Sequence, residues 1–476
     1  MSEEINAIKD KRQWEAIDKI EKYDESIFTA FTGFGKTEVA SKYIKKHFID
    51  KVIVAVVPRQ SLRDQLLKRF ASIPNFHCYV INSFTMSESD KIVKECDLLW
   101  VDEVHWCLGS GSQYFSTLLD IVKRKKFLGT SATLSLEHRM FLASKDIKIA
   151  DTVTISEGIR LGIVPSFFMY NLPVLFTDEE KIKYRRFDKL YDSCFKLFDY
   201  NFNLAKECTT KISPRWKGYW MDSPQAKLAR ERGWDGCTLQ QAIINYSHNK
   251  KIEAGIAQGK KLPVYGKYDK LNEADKFHPE YIRRMANIWM IAMQRRKWLI
   301  EQADNKIPTT VQLLSLIRRK TIVFSSTQKM ASDLSTEVNK EKPERCFTYH
   351  TKVKRKQDIL ELFTKSNPDE NWILSTVKAA DEGIDIKDAS LGIQQGYNSN
   401  SRVYIQRCGR LLRIDELNPN KITLFINLYV DDYLLYGELV KSQEKKWLMK
   451  AQQGQLNVKW FDTVEELKEE IYEQLQ

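Results

Sequence analysis

Short β-branched runs alternate with amphipathic stretches along the first third of the chain: KVIVAVV (Lys51–Val57), SLRDQLLKRF (Ser61–Phe70), DLLWV (Asp97–Val101) and KFLGTSAT (Lys126–Thr133). Apolar strands interleaved with helix-period segments predict a parallel sheet covered by helices. A second series begins at TIVFSS (Thr321–Ser326), continues through NWILST (Asn371–Thr376) and reaches KITLFINL (Lys421–Leu428), which predicts a second α/β domain. Between the two series the pattern changes to long charged and aromatic helical stretches such as DEEKIKYRRFDKLYDSCFKLFDYNF (Asp178–Phe202), broken by turn signals at SPRWKG and KKLPVYGKYDK. The expected organisation is an α/β domain over 1–165, a mostly helical insertion or linker over 166–319, a second α/β domain over 320–430 and a helical extension over 431–476, ending in DTVEELKEEIYEQLQ.

At 476 residues the chain holds two or three domains. Apolar residues make up 43% and charged residues 29%, a globular balance, and no apolar run approaches the roughly 20 residues that span a bilayer. The first twenty residues mix charges with single apolar positions, unlike the apolar centre of a signal peptide. Eight cysteines lie without a Cys-x-x-Cys pair or zinc-ligand spacing, so reduced thiols and an intracellular, cytoplasmic location are expected. The net charge of +12 favours a polyanionic partner, because lysine and arginine release counterions from phosphates.

Ala30-Phe-Thr-Gly33-Phe-Gly35-Lys36-Thr37 follows an apolar strand pattern and precedes the helical pattern EVASKYIKKHF. Glycines there let backbone N–H groups approach phosphates, the helix adds its positive end, and Lys36 reaches the β and γ oxygens. Thr37 offers a hydroxyl to magnesium. Alanine stands at 30 where the strict pattern has glycine. Asp102-Glu103-Val104-His105 comes directly after DLLWV, at the strand edge where open α/β sheets bind ligands. Asp102 is the candidate for holding magnesium, and Glu103 for orienting or deprotonating the attacking water.

The order of these segments resembles the superfamily 2 helicase series over roughly Arg12–Leu175 and Thr321–Leu428. Gln13 resembles the glutamine that reads adenine, Ala30–Thr37 motif I, VVPRQSLRDQ (Val56–Gln65) motif Ia, DEVH motif II and Ser131-Ala132-Thr133 motif III. TIVFSSTQKMASDL resembles motif IV, with His350 and KRKQDILELF after it; Ser375–Ile386 resembles motif V and Gln406–Arg413 motif VI. The resemblance implies two RecA-like domains closing on ATP and Mg2+, with Asp385 at the ribose, Gln406, Arg410 and Arg413 facing the transferred phosphate, and Ser131, Thr133 and His105 coupling the two sites. Guanidinium groups delivered across a cleft neutralise charge developing on that phosphate.

DEVH and a sixth motif that begins with glutamine depart from the DEAD-box RNA helicases. The chain is more similar to the DNA-acting branch that includes XPB-type, restriction-type and phage UvsW-type helicases. That implies unwinding or remodelling of branched DNA, as at forks and recombination junctions, in a bacterial or phage-infected cytoplasm. An RNA helicase and a duplex translocase that leaves strands paired are the alternatives. A backbone grip calls for hydroxyls, amides and cations, for which Arg59, Gln60, Ser83 and Thr376 are the candidates. Tryptophans 216, 220, 234, 289 and 298 interleave with clusters such as Arg295-Arg296-Lys297, where aromatics either stack on bases or pack their own subdomain. Without a long heptad region a monomer is expected.

Overall fold

The computed structural model describes residues 2–84, 89–108, 118–132, 134–210, 225, 227–228, 279–341, 343–367, 370–377, 386, 388–396, 404, 407–409, 411–412, 418, 421–453, 455 and 457–475. They form two parallel RecA-like sheets and a largely helical subdomain.

The chain opens with α1 (Ser2–Ile20) and runs through β1 (Glu25–Ala30), α2 (Lys36–His47), β2 (Ile53–Val57), α3 (Gln60–Arg69), β3 (Phe76–Val80), β4 (Glu95–Asp102), β5 (Lys123–Ser131), α4 (Leu136–Ser144), β6 (Lys148–Val153) and α5 (Ile155–Arg160). The first sheet has the order β3-β2-β4-β5-β1-β6, and every pairing is parallel. Its middle strands are buried, as their near-continuous apolar sequences require. Asp102 pairs with Thr130 and Ser131 with Thr29, so the carboxyl ends of β4, β5 and β1 stand side by side.

Next comes β7 (Ser166–Val174), followed by α6 (Asp178–Lys196), α7 (Phe202–Cys208), α8 (Pro279–Glu301) and α9 (Lys306–Leu316). The chain continues with β8 (Thr321–Phe324), α10 (Gln328–Glu341), β9 (Cys346–Tyr349), α11 (Lys356–Lys365), β10 (Ile373–Thr376), β11 (Leu391–Gln394), β12 (Ile422–Val430), the hairpin β13 (Tyr433–Leu435) and β14 (Glu438–Val440), α12 (Gln443–Ala451), β15 (Val458–Trp460) and α13 (Val464–Leu475). The second sheet is parallel with the order β15-β7-β12-β11-β8-β10-β9. One apolar cluster runs from Phe28 and Phe31 through Phe167 and Met169 to Phe324 and Tyr404, and a second packs Leu313, Leu314 and Leu467 onto the other face of the second sheet.

Two compact units result: 1–175 with 304–432 and 441–476, and 176–303 with 433–440. The expected insertion of 166–319 is therefore too wide at both ends. Its first strand, β7, lies inside the second sheet, and α9 packs on that sheet through Leu313 and Leu314. The 431–476 segment is likewise not only helical, since β15 extends the same sheet beside β7. Pro173 and the long helix that follows mask β7 as a strand, and its partner β12 lies far away in sequence.

In the helical unit, Thr177 caps α6 through a reciprocal box with Glu180, and α8 packs along α6 and α7 around Phe195, Phe198 and Trp289. Trp289 is core, stacked on Phe195 with ring centroids 5.1 Å apart. Arg296 is also buried, its guanidinium 4.3 Å from the Tyr191 ring centroid and 3.0 Å from Asp188. Tryptophans 216, 220 and 234 lie outside the described residues. Among the described residues no helix is long and apolar enough to cross a membrane, and no cysteine is bridged.

Candidate functional site

The turn between β1 and α2 needs glycine twice. Gly33 has φ 103° and Gly35 φ 97°, both in the left-handed region, and Gly35 caps α2. Phe34 anchors the turn by burying its ring between Phe28 and Phe31. Lys36 and Thr37 open α2, where unsatisfied N–H groups and the helix dipole favour an anion.

Two carboxylates face this turn. Thr130 donates to Asp102 Oδ1 at 2.7 Å and itself accepts from Trp100 Nε1 at 3.1 Å, so the indole directs the threonine proton towards Asp102. Glu103 has φ 50°, a left-handed conformation that a glutamate adopts only when its surroundings hold it. Lys36 Nζ lies 3.6 Å from Glu103 Oε1, and His105 Nδ1 lies 3.2 Å from Oε2. The same His105 nitrogen is 2.8 Å from Ser131 Oγ, which ties the acid pair to the end of β5. Burial, followed by the Glu103 charge, pushes the Asp102 carboxyl above the usual carboxylate range, with Lys36 opposing. Burial acts in the same sense on Glu103, but Lys36 and His105 outweigh it and hold that carboxyl low. The pair thus divides into one carboxyl whose ionisation burial and its neighbour oppose and one whose ionisation Lys36 and His105 favour.

These residues fit a magnesium nucleotide. The glycine turn and helix end suit phosphates, Lys36 supplies the cation, and Thr37 with Asp102 supplies the sparse oxygen set that magnesium takes together with phosphate and water.

Helix α1 closes over the turn. Lys9 Nζ donates to Gly33 O, and Gln13 Nε2 donates to Phe34 O, both at 2.9 Å. Neither Lys9 nor Thr130 was legible as a site residue, because both depend on pairings across the fold. From the second sheet, Gly409 meets the phosphate turn: a Cβ there would lie 2.5 Å from Thr32 Cβ and 3.2 Å from Thr32 O. Beside it, Arg407 donates to Val377 O at 3.1 Å and lies 5.3 Å from the Phe324 ring centroid. Gln406, Arg410, Arg413, Asp385 and Thr133 lie outside the described residues.

Of the expected backbone contacts, Thr376 ends β10, buried, with Oγ1 lacking a hydrogen-bond partner. Arg59 caps α3 and is half-buried, while Gln60 is exposed and bonded to Asp64. Ser83 lies in a short turn of 3-10 helix, Ile81–Phe84, after β3. The structure thus gathers Lys36, Thr37, Asp102, Glu103, His105, Ser131 and Gln13 around one turn, whereas Arg59, Ser83 and Thr376 lie on separate strand ends.

Residues 5–95 match the family model of the type III restriction enzyme res subunit, and residues 305–415 match the helicase conserved C-terminal domain. No curated protein matches. Among solved structures, the ATP-dependent type ISP restriction-modification enzyme LlaBIII bound to DNA is 13% identical, with a TM-score of 0.53, covering 98% of this chain and 32% of that one. This chain therefore spans about a third of that enzyme. Dbp5 of S. cerevisiae, bound to RNA and ADP BeF3, is 13% identical with a TM-score of 0.49 over 95% of this chain and 90% of its own. The Hef helicase domain of Pyrococcus furiosus is 15% identical with a TM-score of 0.44 over 92% and 97%. With its glycine turn, acid pair and two parallel sheets, the chain has a helicase-like ATPase fold, similar over 5–95 to a restriction-enzyme res subunit and over 305–415 to a helicase C-terminal domain.

Proposed function

We propose that the chain is a nucleic-acid-stimulated ATPase that moves on DNA and unwinds or remodels branched DNA, as at forks and recombination junctions. The observation that carries the motor is the closure of Gly409 onto Thr32 beside the Lys36, Asp102 and Glu103 cluster. One sheet brings the phosphate turn and the acids, and the second domain brings Gly409, next in sequence to Arg410. Lys36 and Thr37 hold the triphosphate, and Glu103, kept ionised by Lys36 and His105, orients and deprotonates water. Gln406, Arg410 and Arg413 face the charge that develops on the leaving phosphate. Magnesium, held by Thr37 and Asp102, supplies charge neutralisation when bound. His105 and Ser131, with Thr133, carry the state of the site to the track, where Arg59, Gln60, Ser83 and Thr376 grip phosphates. Cleft opening after hydrolysis changes that grip and so drives stepping.

DNA is supported by the restriction-subunit match and by LlaBIII, which is bound to DNA. A second support is the exposed face of α8. Arg284, Ile291, Arg295 and Trp298 fall on one stripe, with Ile291 50% and Trp298 52% exposed, and no carboxylate among the described residues pairs with either arginine. Fourteen residues of helix are about 21 Å, enough to follow several nucleotides with cations at phosphates and an indole against a base.

The test is steady-state ATP hydrolysis with no polymer, single-stranded DNA, duplex, a fork or four-way junction, and RNA, at equal nucleotide concentration. Strongest stimulation by the branched DNA is expected, with loss of turnover and retention of most DNA binding in Lys36→Ala. Stimulation by RNA alone overturns the substrate, and turnover in Lys36→Ala removes Lys36 from the site.

A further inference from the structure

Helix α13 sorts its side chains by chemistry. At helical spacing Val464, Leu467, Lys468, Ile471 and Tyr472 share one arc, and Glu465, Glu466, Glu469, Glu470 and Glu473 occupy the remaining one. The first arc and the end of α9, with Leu316 and Ile317, line a cavity of about 110 Å3. It lies on the face of the second sheet opposite the cluster that reaches Phe31. Arg318, Arg319 and Lys468 stand in its wall. Arg318 and Lys468 are exposed, and Lys468 Nζ lies 5.7 Å from the Tyr472 ring centroid. Arg319 is half-buried and donates to Ile422 O at 2.8 Å. Burial pushes its guanidinium below the usual value, and no acid acts against that shift. Among the described residues no carboxylate pairs with any of the three cations.

A half-buried cation with no counter-charge is unfavourable, and an anion brought to the wall relieves it. The acids of α13 do not serve: Glu470 accepts from Lys459 and Tyr170, and Glu466 from Asp462 N. The cavity adds a second requirement. A dry cavity of about 150 Å3 takes benzene, so this one has room for a single aliphatic side chain. A phosphate backbone would meet the cations and leave the apolar floor empty, whereas an apolar residue between acidic ones satisfies both. We propose that this cavity is a docking site for a partner protein, which inserts one apolar side chain between α9 and α13 and sets flanking carboxylates against Arg318, Arg319 and Lys468.

Selection from a displayed library of random peptides on the full chain tests this, with the Arg318→Glu, Lys468→Glu double variant as the counter-target. Both positions are exposed, so the variant should melt as the parent does. Enriched peptides should carry an apolar residue with Asp or Glu on both sides, bind the parent about tenfold more tightly than the double variant, and weaken as salt rises. Leu316→Trp, which fills the cavity from its half-buried wall, should weaken the same peptides while leaving their salt dependence unchanged. Failure to enrich any peptide overturns the proposal, as does equal binding to parent and double variant. Displacement of the peptides by single-stranded DNA would assign the cations to nucleic acid, and octanoate binding as tightly as the peptides would make the cavity a small-molecule site; either result also overturns it.

Discussion

Lys306 Nζ lies 2.9 Å from both carboxylate oxygens of Glu444, and neither side chain is exposed. Glu444 Oε2 also accepts from Val430 N at 2.9 Å, so one carboxylate joins the start of α9, the end of β12 and the first turn of α12. These are the points where the chain returns from the helical unit and where it leaves for the hairpin. Removing one partner strands a buried charge, which costs about 3–5 kcal/mol. Lys306→Met should lower stability to chemical denaturation by that amount, whereas Lys306→Met with Glu444→Leu should recover a large part. A single variant as stable as the parent would show that the pair is hydrated in solution.

The acid pair makes stability depend on pH in opposite senses. Asp102, raised by burial and by Glu103, binds its proton more tightly folded than unfolded, so its contribution is present at low pH and lost as pH rises through the raised value. Glu103 is held low, so its contribution is present above the ordinary carboxylate range and lost as pH falls. Asp102→Asn removes the first dependence. The nucleotide-free variant should melt a few degrees above the parent at pH 7.5 and gain less at pH 5, with hydrolysis abolished. An equal gain at both values would mean that Asp102 is not the titrating group.

Gly409 leaves no room for a side chain against Thr32. Gly409→Ala should hold the cleft apart, reducing polymer-stimulated turnover at least tenfold while nucleotide binding to the phosphate turn stays within a few-fold of the parent. Full turnover in this variant would separate the observed closure from the hydrolytic state.

On α8, Arg284→Gln with Arg295→Gln should weaken single-stranded DNA binding and reduce the slope of log affinity against log salt by about 1.4, the share of two phosphates. Trp298→Ala should weaken binding without changing that slope, by about 1–3 kcal/mol if one base stacks on it. An unchanged slope in the arginine variant would remove this face from the DNA path.

The phosphate turn and the acid pair were legible from sequence because their elements are local. Gly33, Gly35, Lys36 and Thr37 fall within five residues with a strand before and a helix after, and Asp102 with Glu103 ends an apolar run. The features that were not legible depend on partners distant in sequence. Thr130 matters because β5 sets it opposite Asp102, Lys42 because α2 brings it to Gln13, and Gly409 because a second sheet delivers it to Thr32. Strand β7 was hidden for a related reason. Its apolar pattern fits several elements, and only its pairing with β12 and β15 decides between them.

That pairing has a consequence during synthesis. The first sheet uses strands from 25 to 153, so it can assemble while the rest of the chain is still on the ribosome. Strand β7 emerges next, yet both its neighbours are made much later, β12 at 422–430 and β15 at 458–460. Its two edges wait through the translation of residues 176–303 and most of the second sheet. A ribosome that stalls between residues 175 and 421 would hold a complete first sheet and a β7 open on both sides, and one that stalls between 431 and 457 a β7 open on one side, so stalling within these spans is more hazardous for this chain than stalling before β7 is made.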